Sequence, residues 1–162
     1  MQGGMGGMGG MGMMGMMGTA AMVGSGLTAG VLFCVALSVV PALFALPPDR
    51  YVQTHKLVGR NYDPTMPLIV LTTAVVDVVL AVVTPGTAPR SLFAVAAALM
   101  LGVSVVSHLC NVPINRRVKA LDPAAIPEDW MDPRPLWRRW HLLRTVLAVL
   151  ALTVNAVAVV LT

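Results

Sequence analysis

Two short stretches of this chain concentrate the side chains able to move a proton or hold an oxyanion: His108-Leu109-Cys110-Asn111-Val112-Pro113-Ile114-Asn115 and Trp137-Arg138-Arg139-Trp140-His141-Leu142-Leu143-Arg144-Thr145. Residues three and four apart share a helix face, so His108, Asn111 and Asn115 form one polar stripe, and Trp137, His141, Arg144 and Thr145 form a second. An imidazole takes or gives a proton near neutral pH, and a fixed guanidinium beside it holds an oxyanion or enolate. Both stretches sit where a long apolar run meets a charged one. Polar groups at that depth are costly unless paired or used.

The elements that must position these groups are membrane helices. The chain has 162 residues, 57% hydrophobic and only 11% charged, with a mean hydropathy of +0.80. That leaves too little polar surface for a water-soluble globule and fits one small membrane domain. Four apolar runs, Ala20 to Leu46, Pro64 to Val83, Ser91 to Cys110 and Leu136 to Leu161, each approach or exceed the ~20 residues that cross a ~30 Å hydrocarbon core. The expected fold is therefore all-α, a four-transmembrane-helix bundle over residues 19–162. Strands are excluded by run length and the lack of period-two alternation. Pro41 predicts a kink in the first run and Pro113 a stop or bend after the third.

Nine of the eleven Lys and Arg residues fall in the first and third loops, one (Arg90) in the second, and one (Arg144) inside the last run. The bias predicts a multi-pass protein of the cell membrane with both longer loops cytoplasmic and both termini extracytoplasmic. The net charge of +4 suits contact with anionic lipid of the bilayer. No basic patch interleaved with aromatics argues for nucleic acid. Cys34 and Cys110 both lie in apolar runs, and neither a disulfide framework nor a CxxC metal spacing is present in the sequence.

Residues 1–18 contain eight methionines and nine glycines. Glycine at this density predicts a disordered, flexible tail. Met5, Met8 and Met11 recur every three residues, a soft-ligand pattern suited to Cu(I); the alternative is low-complexity sequence without a ligand.

Each polar stripe carries two readings. Asn111 and Asn115 serve a site, or they bond across to a neighbouring helix, an interaction worth ~0.6 kcal/mol on average. Trp140 reads as an aromatic-belt anchor. Since the third helix ends and the fourth begins on one side, the stripes converge there, within reach of Tyr62 and Asp63. His108 and His141 as metal ligands fall short of a site without a third donor. Deeper in the membrane, Asp77 either marks a proton or ion path or is a neutral acid bonded to Asn155 or Ser104.

The Asn-x-Pro-x-Asn element at Asn111 to Asn115, the Trp-x-x-Trp-His-x-x-Arg-Thr element from Trp137 to Thr145 and the four-helix layout resemble the anthrone-oxygenase-like family of small membrane proteins over residues 20 to 162. The resemblance implies oxidation of an anthrone, or a related aromatic polyketide, by molecular oxygen without an evident cofactor. On that implication His141 is the base, with His108 the second candidate. Arg144 with Asn111 or Asn115 stabilises the enolate oxygen, and Asn111, Asn115 and Trp137 contact the substrate. No metal ligand is assigned. Two other classes stay open: a copper-handling or transport protein, and a non-catalytic subunit or homo-oligomer joined through Gly24-Ser25-Gly26, Gly30 and Ala96-Ala97-Ala98.

Overall fold

The computed structural model describes the backbone of residues 5–162 and side chains from residue 12 onward. The Cu(I) reading of Met5, Met8 and Met11 concerns side chains outside those described. The elements, in order, are α1 (Met5–Cys34), a π-helical turn (Val35–Val39), α2 (Val40–Ala45), α3 (Pro48–Val58), α4 (Thr65–Val83), α5 (Thr87–Val106), a second π-helical turn (Ser107–Asn111), α6 (Val112–Ala120) and α7 (Arg134–Val160). Four continuous stretches are long and apolar enough to cross a membrane: Gly12–Ala45, Thr65–Val83, Thr87–Ala120 and Arg134–Val160. The protein is a four-helix, multi-pass membrane protein.

Two boundaries differ from the sequence expectation. The first helix does not begin near Ala20; it is helical from Met5, and Gly18 packs so closely on α7 that a Cβ there would stand 3.1 Å from the Val159 side chain. Helix propagation from an anchored apolar segment overrides glycine's weak propensity, because each added residue costs no new nucleus. The third helix does not stop at Pro113 either. Each proline follows a π turn, Val35–Val39 before Pro41 and Ser107–Asn111 before Pro113. Proline lacks an N–H and crowds the carbonyl four residues back, and a wider turn relieves both faults without breaking the helix.

Around the bundle, α1 packs on α4, α4 on α5, α5 on α7 and α7 back on α1. One core cluster fills the middle, with Leu32, Ala74, Met100, Val103 and Ala151. A second, with Ala21, Leu80, Phe93 and Ala158, closes the end that carries the α4–α5 turn. The third, with Val40, Tyr51, Val52, Ile114 and Trp137, ties α3 to the opposite end. Nine of the eleven Lys and Arg residues lie at that opposite end.

Part of the small-residue faces is consumed inside the bundle: Gly24 abuts Thr73 of α4, Ser25 is buried, and Ala96 and Ala97 lie in the core, whereas Gly30 and Ala98 face outward. Asp77, Asn155 and Ser25 form one fully buried polar cluster: Asn155 Nδ2 donates to Asp77 Oδ2 and to Ser25 Oγ, each at 3.4 Å. Ser25, not Ser104, is thus the hydroxyl in this group.

At the basic end Arg134 acts as a latch. Its guanidinium donates to the Leu43 and Leu46 carbonyls at 2.9 and 2.7 Å, pairs with Asp132 at 2.7 Å, and lies 4.9 Å over the Tyr51 ring. Burial raises the Asp132 carboxyl, but the Arg134 hydrogen bonds and charge outweigh it and hold the group below its ordinary value. Burial, with the Asp132 charge adding to it, pushes the Tyr51 phenol up to about 12, so it stays protonated.

Candidate functional site

A cavity of about 430 Å³ opens into the bundle from its basic end. That volume falls within the ~300–1,000 Å³ of small-molecule sites. Its walls are apolar residues of α1, α4 and α5, including Val31, Leu32, Met66, Val70 and Val103. The polar groups on it come from α1 (Thr28), α3 (His55), the α3–α4 loop (Tyr62, Asp63), α5 and its π turn (Ser104, Ser107, His108), α6 (Asn115, Arg116, Lys119) and α7 (Trp137, Arg144).

Arg144 is the deepest charge in this cavity. Its Nε and one terminal nitrogen donate to His141 Nδ1 at 3.2 and 2.9 Å, and the other terminal nitrogen donates to Ser107 Oγ at 3.3 Å. These bonds occupy three of the five N–H groups of a guanidinium. The ion pairs among the described residues are Arg50–Asp49 and Arg134–Asp132, so Arg144 has no carboxylate partner. Two donors and an uncompensated positive charge therefore remain at an apolar cavity wall.

His141 was expected to line this cavity, and it does not. It is fully buried behind Arg144, its Nε2–H donating to the Leu32 carbonyl at 3.0 Å while Nδ1 accepts from Arg144. Both ring nitrogens are engaged, which fixes one neutral tautomer and leaves no lone pair for a substrate proton. Its bonds make it a holder of Arg144. Asn111 was likewise expected on the cavity and is fully buried off it, its Nδ2 bonded to the Trp137 carbonyl at 3.2 Å. That is the cross-helix bond of the alternative reading.

Asn115, Trp137, His108 and Arg144 do share the cavity. Trp137 stacks on His141 with centroids 5.1 Å apart and planes 6° from parallel, and its Nε1–H donates to Asn115 Oδ1 at 2.8 Å. The same Asn115 oxygen lies 3.2 Å from His55 Nε2. An amide oxygen only accepts, so His55 carries its proton on Nε2 and its lone pair on Nδ1. No partner engages that Nδ1 among the described residues. Burial lowers the His55 pKa, the Asn115 bond raises it and the Lys119 charge lowers it, with a net shift below 6.5. The ring is neutral at pH 7. His108 is exposed at the cavity edge, its Nδ1 2.9 Å from the Ser104 carbonyl, which leaves Nε2 as a second free lone pair.

His55 is the residue that reading the sequence missed. It lies in α3, a segment read as part of a charged loop. The signal was present: Pro48 at the first helical turn, then Tyr51, Val52 and His55 at three- and four-residue spacing on one buried face.

A family model described as Anthrone oxygenase matches residues 55–154, 100 of the 162 residues, and the matched stretch opens on His55 and holds every charged or ionisable group that lines the cavity. No curated protein and no solved structure matches the chain.

Proposed function

This chain belongs to the anthrone oxygenase family, and from that premise we propose that it is a membrane-embedded oxygenase acting on an anthrone-like aromatic by base-assisted enolate formation, with cytoplasmic access to the cavity. The single observation that carries the reading is Arg144: a guanidinium with two spare donors and no carboxylate partner, held on an apolar wall by a neutral histidine. Such a group binds an oxygen that becomes anionic during reaction, and a preorganised donor of this kind contributes about 10²–10³ in rate.

An anthrone places its carbonyl oxygen and its acidic C–H across the central ring from each other. The base must therefore stand a ring's width from the clamp on the oxygen. His141, bonded to Arg144, is too near. His55 packs edge-on against Trp137 at 5.9 Å, and Trp137 precedes Arg144 by seven residues, about 10 Å along the helix. His55 is the base in this reading, with His108 the alternative, and Asn115 is a positioning residue that sets the His55 tautomer.

The chemistry balances without a further reductant. His55 Nδ1 removes the proton, and the resulting enolate, its oxygen on Arg144, gives electrons to dioxygen and forms a carbon–peroxide bond. The peroxide takes a proton back. Loss of the remaining hydrogen on that carbon breaks the O–O bond and releases water, so one anthrone and one dioxygen become one anthraquinone and one water.

Oxygen uptake by the purified protein in detergent tests this. The expected result is stoichiometric uptake above the protein-free rate, lost by about 10²-fold or more in Arg144→Met and in His55→Ala. Uptake no faster than the protein-free rate overturns the reading; uptake retained in His55→Ala and lost in His108→Ala moves the base to His108.

A further inference from the structure

The rim of the cavity carries a recognition element that the oxidation does not use. On α6, Val112, Asn115, Arg116 and Lys119 recur at three- and four-residue spacing and all line the cavity, whereas Arg117, on another face, does not. Arg116 and Lys119 are exposed and make no hydrogen bond or ion pair among the described residues. Asp63 is the one acid among the lining residues. Arg144, the apolar wall and these two cations all line the same cavity.

We propose that the substrate is an aromatic bearing an acidic substituent, a carboxylate or an equivalent anion, on the part of the ring system farthest from the oxygen held by Arg144, and that Arg116 and Lys119 bind that group. This rests on the aromatic-substrate reading above and adds the substituent and its place. The arrangement gives the ligand one orientation: Arg116 and Lys119 at one end of an apolar slot accept an anion, and Arg144 at the other accepts a nascent oxyanion. Arg116 supplies a planar fork suited to two carboxylate oxygens, and Lys119 a point charge. A lipid headgroup phosphate offers the same anionic chemistry at the same depth, so the test separates the two sources.

The full-length protein in phosphatidylcholine nanodiscs is titrated with anthraquinone-2-carboxylate and with its uncharged carboxamide, binding being read from tryptophan quenching. The expected result is at least about tenfold tighter binding of the carboxylate, the effect of one hydrogen-bonded charge pair, falling to near equality in Arg116→Gln/Lys119→Gln and narrowing as sodium chloride rises. Equal affinity of the two probes in the wild type overturns the proposal. So does a double variant that keeps the carboxylate preference and loses only a response to added phosphatidylglycerol, which assigns the cations to lipid. Because the readout is binding, a protein that prefers the carboxylate yet oxidises no anthrone supports the acid-binding rim and refutes the oxygenase reading, whereas turnover of a neutral anthrone without carboxylate preference does the reverse.

Discussion

His141 and Arg144 show how spacing finds a pair without showing what each member touches. Their three-residue separation on one helix face was legible, and so were the positions of Asn115, Trp137 and His108. What no local pattern carries is the partner supplied by another helix: the Leu32 carbonyl, 109 residues away, occupies His141 Nε2 and turns a base candidate into a bracket for Arg144. His141→Ala is accordingly expected to lower thermal stability in detergent as well as turnover, by about 2–4 kcal/mol, since it vacates a buried volume and strands two donors. A variant with unchanged melting and lost turnover would restore His141 to the role of base. His55 supplies a pH dependence. Its folded pKa is depressed below 6.5, so the unfolded chain takes up a proton first as pH falls. The contribution of His55 to stability is full above pH 6.5 and declines below it. Unfolding midpoints measured from pH 7.5 downward should fall below pH 6.5, and the slope should flatten in His55→Gln. The acid limb of kcat/KM should also lie below 6.5 and vanish with that substitution.

At the scale of elements, the four membrane helices were readable because an apolar run of bilayer length has few other uses. The interfacial α3 was not, because its eleven residues mix charges with a narrow apolar face that matters only once α6 and α7 are beside it. The close approach of α1 to α4 at Gly24 was visible as a small residue but not as to what it meets. A Cβ there would collide with the Thr73 side chain, its own Cβ only 3.1 Å away. Gly24→Ala should therefore destabilise the protein by about 1–3 kcal/mol, and Thr73→Ala in the same chain should recover part of the loss; additive melting shifts in the double variant would mean that the two helices do not meet there. Arg134 joins the end of α2, the Asp132 turn and the Tyr51 ring. Arg134→Ala should free the 121–133 segment, seen as faster proteolysis within it while α7 stays protected, and unchanged cleavage would show that the latch carries no constraint.

For the whole molecule, the charge asymmetry and the cavity share one end. The expected orientation puts that end in the cytoplasm, and reporter fusions at Thr162 and within 116–130 check it: activity of a periplasm-dependent reporter is expected only at Thr162. A cytoplasmic C-terminus would invert the bundle and open the cavity to the other face. The Gly12–Ala45 and Thr87–Ala120 helices, at 34 residues each, reach about 50 Å, well past a ~30 Å hydrocarbon core, so α6 and its cations stand at headgroup depth. What aims them is the wide turn at Ser107–Asn111. A π turn amounts to one residue inserted into a regular helix, and each residue advances the chain by about 100°. The wide turn absorbs that residue, so deleting one there, Leu109 for example, would restore a regular helix and leave Asn115, Arg116 and Lys119 on nearly the same face, whereas deleting one from the regular stretch before it, Val105 for example, would swing them together by roughly a quarter turn, off the slot. The face that α6 offers the cavity is in this sense indexed by residue count, and the wide turn is the one place along this helix where the count can change by one while the mouth keeps its alignment.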